Sequence, residues 1–175
     1  MHAADLPFVG LVMMACGMFF QTVARLSTQQ RGSAILMALV ASFIKILMVG
    51  GIAVATVAAI LIQSSIIELI YRYPVPSRRR VSFAGATGIS YSLFHPFISL
   101  PLFMGLSIQD AFDRITSAGS VLLAIPEKSG FVIWIALLMI HFVVGWVVTF
   151  CCYNFAAKLN QLGLFPNFQL HTRSE

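Results

Sequence analysis

Four ionisable residues lie inside strongly apolar stretches of the sequence, and they are the first candidates for chemistry. They are Lys45, Glu68, His95 and His141. A charge placed in the hydrocarbon region of a bilayer costs about 2.5 to 3.5 kcal/mol on insertion scales. Such residues therefore tend to bind an ion, move a proton, pair with one another or reach the membrane surface.

We rank His95 first because it directly precedes Pro96 and follows Tyr91 and Ser92 closely. One interpretation is a neutral histidine that is hydrogen-bonded to a carbonyl group freed by the proline. The other is a histidine that binds a ligand or handles a proton, since breaks in membrane helices host substrate sites in transporters. These three side chains, with Lys45, would then converge on a cavity.

The other three ionisable residues each have two interpretations. Lys45 could extend its long stem to the membrane surface, or it could pair with a carboxylate or bind an anion. Glu68 precedes Arg72 by four residues, the spacing of a surface ion pair on a helix. Alternatively, Glu68 faces the bundle and accepts a cation or a proton. For His141 we expect a hydrogen bond to a neighbouring helix, and the alternative is ligation of a haem with His95 as the second histidine.

The sequence contains no recognisable catalytic arrangement. It has no nucleophile elbow, no zinc-protease helix motif, no phosphate-binding glycine loop and no paired aspartates within an apolar stretch. We therefore predict that the protein is not an enzyme and that it has no cofactor and no metal site.

The composition indicates a membrane protein. Of the 175 residues, 59% are hydrophobic and only 10% are charged, and the mean hydropathy is +0.90. Soluble domains are about 25% charged. The net charge of +5 fits the basic cytoplasmic loops of membrane proteins better than a nucleic-acid surface, because no aromatic residues are interleaved with the basic ones. The expected partner is thus the lipid bilayer, and no nucleic acid.

The stretch from Ser33 to Tyr71 is long enough for about two crossings of a bilayer. In one interpretation, Ser33–Val49 and Ile52–Tyr71 are separate crossings joined at Gly50-Gly51. In the other, Ile46–Ile67 is a single crossing, and a partly inserted helix ends at Lys45.

The distribution of basic residues favours two crossings. With two, one side of the membrane receives a set of eight: Arg25, Arg31, Arg72, Arg78, Arg79, Arg80, Lys158 and Arg173. With one, Arg25 and Arg31 change sides and the asymmetry largely disappears. Because basic loops stay in the cytoplasm, we place the loop containing Arg78–Arg80 and the C-terminus there.

The segment Val81–Leu106 is apolar but holds several glycines and serines, and also Pro96 and Pro101. We predict a helix that is kinked or broken near Pro96. A complete break that reverses the chain would make two short crossings, which is tolerated at membrane depth only where protein or a water-filled cavity covers the freed backbone.

The remaining segments complete the predicted topology. Leu6–Ala24 is the first crossing, and Phe131–Phe155 is the last. Between them, the Ser107–Gly130 loop is predicted to contain an amphipathic helix on the outer surface. Its helix-spaced charged residues are Asp110, Asp113 and Arg114.

These observations predict an all-α, polytopic helix bundle with about five transmembrane helices, four and six being the neighbouring counts. Residues 1–159 form a single transmembrane domain, and residues 160–175 form a polar tail. We expect a bacterial inner membrane or an equivalent energy-transducing membrane.

Two functions fit this picture. The first is a non-catalytic subunit of a larger secretion, conjugation, transport or respiratory complex, in contact with other membrane subunits or with copies of itself. The second is a small solute transporter with its site near His95-Pro96. In size, span pattern and a glycine-bearing last helix that ends in a basic residue, the chain is similar to the substrate-binding subunits of energy-coupling-factor vitamin transporters.

Overall fold

The computed structural model describes residues 9–49, 54–72 and 77–163, which form six α-helices. A short 3-10 turn, Glu127–Ser129, precedes the last helix. The predicted all-α class is therefore confirmed for this part of the chain. The helices are α1 Val9–Thr28, α2 Ser33–Val49, α3 Val54–Ile70, α4 Arg78–Met104, α5 Ile108–Leu123 and α6 Gly130–Gln161.

The long apolar stretch forms two separate helices, α2 and α3, which pack against each other. The alternative with a helix that ends at Lys45 is wrong, because α2 continues to Val49. No glycine or proline interrupts the chain before Gly50, so the helical hydrogen bonds continue. The predicted Gly50-Gly51 junction lies outside the described residues.

The start of α2 lies beside the end of α3, so the two helices run antiparallel. The backbone N–H of Gly32, just before α2, donates a hydrogen bond to the Glu68 carboxylate near the end of α3. Helices α4 and α6 are also antiparallel, since Arg78 lies over the Phe150 ring and, further along α4, Phe94 contacts Trp134 near the start of α6. As a result, the C-terminal ends of α1 and α3 lie at the same end of the bundle as the N-terminal ends of α2 and α4.

Helices α4 and α6 approach closely at two glycines. A Cβ atom on Gly145 would overlap the backbone oxygen of Gly85, and a Cβ on Gly85 would overlap the Thr149 side chain. The Thr149 hydroxyl donates to the Gly145 carbonyl at 2.7 Å. Small residues allow the two backbones to approach in this way, as they do between helices in membranes.

Helix α4 is continuous through Pro96 and Pro101. The prediction of a full break near Pro96 is therefore wrong, while a kink there stays a prediction. Each proline removes only one N–H donor from the helix, and the bonds on either side continue. The helix ends instead at Gly105, whose φ of 64° is in the left-handed region and whose N–H donates to the Pro101 carbonyl.

The predicted amphipathic helix is confirmed as α5. Ser107 and Asp110 form reciprocal hydrogen bonds at its start, so it begins with a capping box. One face packs against α6 and α4 and buries Ala111, Thr116 and Gly119. Most of the segment we expected to be a loop is thus helical.

Two buried clusters hold the bundle together. The larger includes Met18 of α1, Ile67 of α3 and Ile89 of α4. The smaller lies beneath α5 and contains Leu93 and Ile133. Outside these clusters many large apolar side chains are exposed, among them Leu36, Phe43, Leu69, Leu102, Val121 and Phe131.

Two stretches of the described chain are long and apolar enough to cross a membrane: Gly10–Thr28 and Glu127–Gln161. Ser33–Leu47 and Val54–Ile70 are also apolar but shorter. The helices at the first and last predicted crossings are therefore long and apolar enough to cross a membrane. Helix α6 continues to Gln161, slightly past the predicted start of the polar tail, and residues 164–175 lie outside the described part.

Candidate functional site

A buried polar network joins α1 and α3 near the C-terminal ends of both helices. Its centre is Arg25, whose side chain is 0% exposed. The Nε atom of Arg25 lies 3.6 Å from Oε1 of Glu68, and its Nη2 donates to the backbone carbonyl of Tyr71 at 3.1 Å. A fully buried guanidinium needs such partners, because an unpaired charge in a protein interior is costly.

The Glu68 carboxylate also holds the start of α2. It accepts hydrogen bonds from the backbone N–H groups of Gly32 at 2.6 Å and Ala34 at 3.2 Å. The first N–H groups of a helix have no partner inside the helix, and the helix dipole favours a negative charge there. Glu68 thus ties three helices together.

Two expectations about these residues are wrong. In the described chain, Glu68 pairs with Arg25 and not with Arg72. Arg72 is exposed and can be solvated by water, whereas Arg25 is buried and requires the carboxylate. Arg25 was expected to lie beyond the first crossing, Leu6–Ala24, but α1 continues to Thr28. The helical spacing of Gln21, Thr22 and Arg25 was the signal that one face of α1 is polar.

Two further contacts between α1 and the α3 segment extend the network. Nε2 of Gln21 donates to the Ser64 hydroxyl at 2.9 Å, and the Thr22 hydroxyl lies 3.3 Å from the Tyr71 hydroxyl. Tyr71, the last residue of the predicted crossing Ile52–Tyr71, is fully buried.

A groove of about 570 Å³ opens at the same end, between α2 and α3. Its wall combines two exposed arginines with the Glu68 carboxylate and apolar side chains. Because Glu68 is already engaged by Arg25 and by the start of α2, the exposed charges of the groove are the two arginines. The wall includes Arg31, Ile35, Ser65, Glu68, Leu69 and Arg72.

The other cations of this end belong to helices and not to a loop. Arg78, Arg79 and Arg80 form the first turn of α4, and Ser77 precedes them as its N-cap. The guanidinium of Arg78 lies 3.7 Å from the centre of the Phe150 ring, a cation–π contact. Lys158 lies two turns further along α6, so it lies at this end as well.

The structure brings Tyr91 and His95 together on α4. Their ring centres are 6.3 Å apart, and both residues are half-buried. The Tyr91 hydroxyl is buried and has no hydrogen-bond partner among the described residues. Ser92 donates to the carbonyl of Ile89 at 2.8 Å, so its hydroxyl is engaged inside its own helix.

Lys45 is not brought to this pair. It is exposed on α2, which packs chiefly against α1 and α3, whereas His95 lies on α4. His141 is half-buried on α6, and its Nδ1 lies 2.8 Å from the Leu137 carbonyl of the same helix. The expected hydrogen bond from His141 to a neighbouring helix is therefore wrong for the described chain.

Two further cavities lie among the described residues. One, of about 180 Å³, lies beside His141, and the other is an apolar groove of about 350 Å³ between α1 and α6. His95, Tyr91, Ser92 and Lys45 line none of these three cavities. Within residues 9–49, 54–72 and 77–163, no group of three or more histidine, cysteine or acidic side chains could hold a metal ion.

Comparison of the chain with protein-family models, curated proteins and solved structures gives no match.

Proposed function

We propose that the chain is a non-catalytic integral membrane subunit of a larger membrane complex, where it contributes helix packing and contacts to partner subunits. The observation that supports this proposal is the structural role of the two buried charged residues. Arg25 and Glu68 form an ion pair with each other and hold the ends of three helices together. These two buried charges thus stabilise the arrangement of the helices.

The exposed apolar surface supports the membrane assignment. Only 17% of the most apolar window of α6 and 28% of that of α1 are buried inside the chain. A core helix of a soluble protein would be covered on most sides. Lipid tails are the natural cover for this surface.

The helix lengths fit about five crossings, by α1, α2, α3, α4 and α6. Helices α2 and α3 have 17 residues each, which is the lower end of the usual range for a spanning helix. The basic end, which contains Arg31, Arg72 and Arg78, then faces the cytoplasm. In this arrangement α5 lies on the opposite surface.

Lys45 supports contact with a partner subunit. It is exposed on α2 between Phe43, which is 62% exposed, and Leu47, which is 66% exposed. Among the described residues, Lys45 forms no ion pair with an acidic side chain. A cation on a lipid-facing helix is stabilised by an anionic group on a neighbouring chain.

The alternative is a small solute transporter with its site near His95-Pro96. The observation in its favour is the buried Tyr91 hydroxyl without a described partner beside the His95 ring. A transporter site needs several polar groups that converge on one cavity, whereas Lys45 lies on another helix and Ser92 bonds within α4. We therefore favour the subunit.

The proposal is tested by extraction in a mild detergent at native expression level, followed by native mass spectrometry. A subunit leaves the membrane with other chains in a fixed ratio. A chain that emerges alone and carries a small molecule, which is lost in His95→Ala, would contradict the proposal and support the transporter.

A matched pair of charge reversals tests the role of Lys45. We expect Lys45→Glu to reduce the amount of co-purified partner at least severalfold, because the substitution places like charges at the contact. Lys128→Glu is the control, since Lys128 is exposed in the 3-10 turn before α6. Equal partner recovery from the two variants would exclude Lys45 from the contact.

A further inference from the structure

The cavity beside His141 lies among four helices and has one polar side chain in its wall. Its volume is about 180 Å³. All the other side chains of described residues that line it are apolar, or the residue is glycine. We call it the His141 cavity, and its wall includes Leu11 of α1, Leu93 of α4, Ile115 and Leu122 of α5, and Leu137 and His141 of α6.

The hydrogen bond of His141 fixes which ring nitrogen carries the proton. The Leu137 carbonyl, 2.8 Å from Nδ1, can only accept a hydrogen bond, so Nδ1 carries the hydrogen. Apolar walls disfavour a charged imidazolium, so the ring is neutral and Nε2 has a free lone pair. Nε2 has no hydrogen-bond partner among the described residues. His141, which lines the cavity, therefore has one acceptor that is free to bind a ligand.

The size and polarity of the cavity restrict what can occupy it. An apolar cavity of roughly 150 Å³ in another protein binds benzene and stays free of water. A buried water needs two to four polar partners, whereas the wall of this cavity provides one polar side chain. An occupant with an apolar body of about one ring and a single hydrogen-bond donor satisfies both constraints.

We propose that the His141 cavity binds a small single-ring molecule with one hydroxyl group, of the phenol class, whose O–H donates to Nε2 of His141. The apolar ring fills the space between α5 and α6, and the hydroxyl group satisfies the histidine. The proposal does not rest on the proposed function, because it is argued from described residues of this chain alone.

Phenol and toluene provide a matched pair of probes, since they have nearly the same shape and only phenol donates a hydrogen bond. The experiment titrates each into the purified full-length protein in detergent and follows the methyl NMR signals of Ile115 and Leu122. We expect saturable binding of both, with phenol about fivefold tighter, as one net hydrogen bond provides. In His141→Leu, the preference for phenol should disappear while toluene still binds.

A second measurement avoids any dependence on the variant's folding. In the unmodified protein labelled with ¹⁵N-histidine, phenol should shift the Nε2 signal of His141 and toluene should not. The His95 signal is the internal reference, because His95 does not line this cavity. Equal affinity for the two probes, no saturable binding, or an unmoved Nε2 signal would overturn the proposal.

Discussion

Arg25 and Glu68 form a buried ion pair, with Nε and Oε1 3.6 Å apart, between the last turns of α1 and α3. The same carboxylate accepts two N–H groups at the start of α2. One glutamate thus satisfies a buried cation and a helix terminus together. Loss of Glu68 should therefore destabilise the packing of all three helices.

Glu68→Gln should destabilise the protein strongly. The change leaves the buried Arg25 guanidinium without its counter-charge, and loss of one partner of a buried ion pair costs about 3 kcal/mol. The measurement is thermal unfolding in detergent, with Glu127→Gln as the control because Glu127 is exposed. If the two variants unfold at the same temperature, the pair is not required for stability.

Gly145→Ala should separate α4 from α6. The added Cβ meets backbone atoms of Gly85 and Ala86, which cannot rotate away as a side chain can. Overpacking of this kind costs about 1 to 3 kcal/mol, and its measure is a lower unfolding temperature. Gly17→Ala is the matched control, since nothing lies within 4 Å of the added atom. A tolerated Gly145→Ala would mean that the two helices can move apart at little cost.

The capping box of α5 should make its first turn sensitive to pH. Hydrogen bonds from the Ser107 hydroxyl and backbone lower the pKa of Asp110 from its ordinary value of about 4. A lowered folded-state pKa means that ionised Asp110 stabilises the helix. This stabilisation is complete above about pH 4 and is lost as the pH falls through the lowered value.

Hydrogen exchange of the first amides of α5 measures this effect. At pH 7 we expect several-fold faster exchange in Asp110→Asn than in the unmodified protein, and no difference near pH 2 after correction for intrinsic rates. Asp113→Asn is the control, because Asp113 accepts from the Gln109 side chain and not from the cap. A difference that persists unchanged at acid pH would rule out the carboxylate as its cause.

The proposed topology places both ends of the α2–α3 hairpin on one side of the membrane. In a background with the three cysteines replaced by alanine, Gln30→Cys and Ser77→Cys should resist a membrane-impermeant maleimide in intact cells. Lys128→Cys should react, since the proposed crossing by α4 places position 128 on the opposite side of the membrane from positions 30 and 77. All three positions are exposed in the structure. Opposite labelling of Gln30→Cys and Ser77→Cys would require an odd number of crossings between them.

The sequence predicted much of the helical framework, because the signals for helices are local. The apolar stretches and the glycines and prolines that bound them located α2 and α6 closely. The same signals indicated that α5 is amphipathic, and the basic residues grouped at one end as the two-helix interpretation required. Local signals failed at Pro96, where a proline weakens a helix without ending it when the residues on both sides still favour the helix.

The sequence by itself determined the all-α class, the apolar surface and the clustering of positive charge, since composition and hydropathy are properties of the chain. Only the tertiary structure decided that Glu68 pairs with Arg25 and not with the nearer Arg72, and that Tyr71 is buried. It also placed His141 in the wall of a cavity and left Lys45 exposed. The physical reason is that a polar side chain is satisfied by whichever group packing brings within a few ångströms, and distance along the chain does not reveal that group.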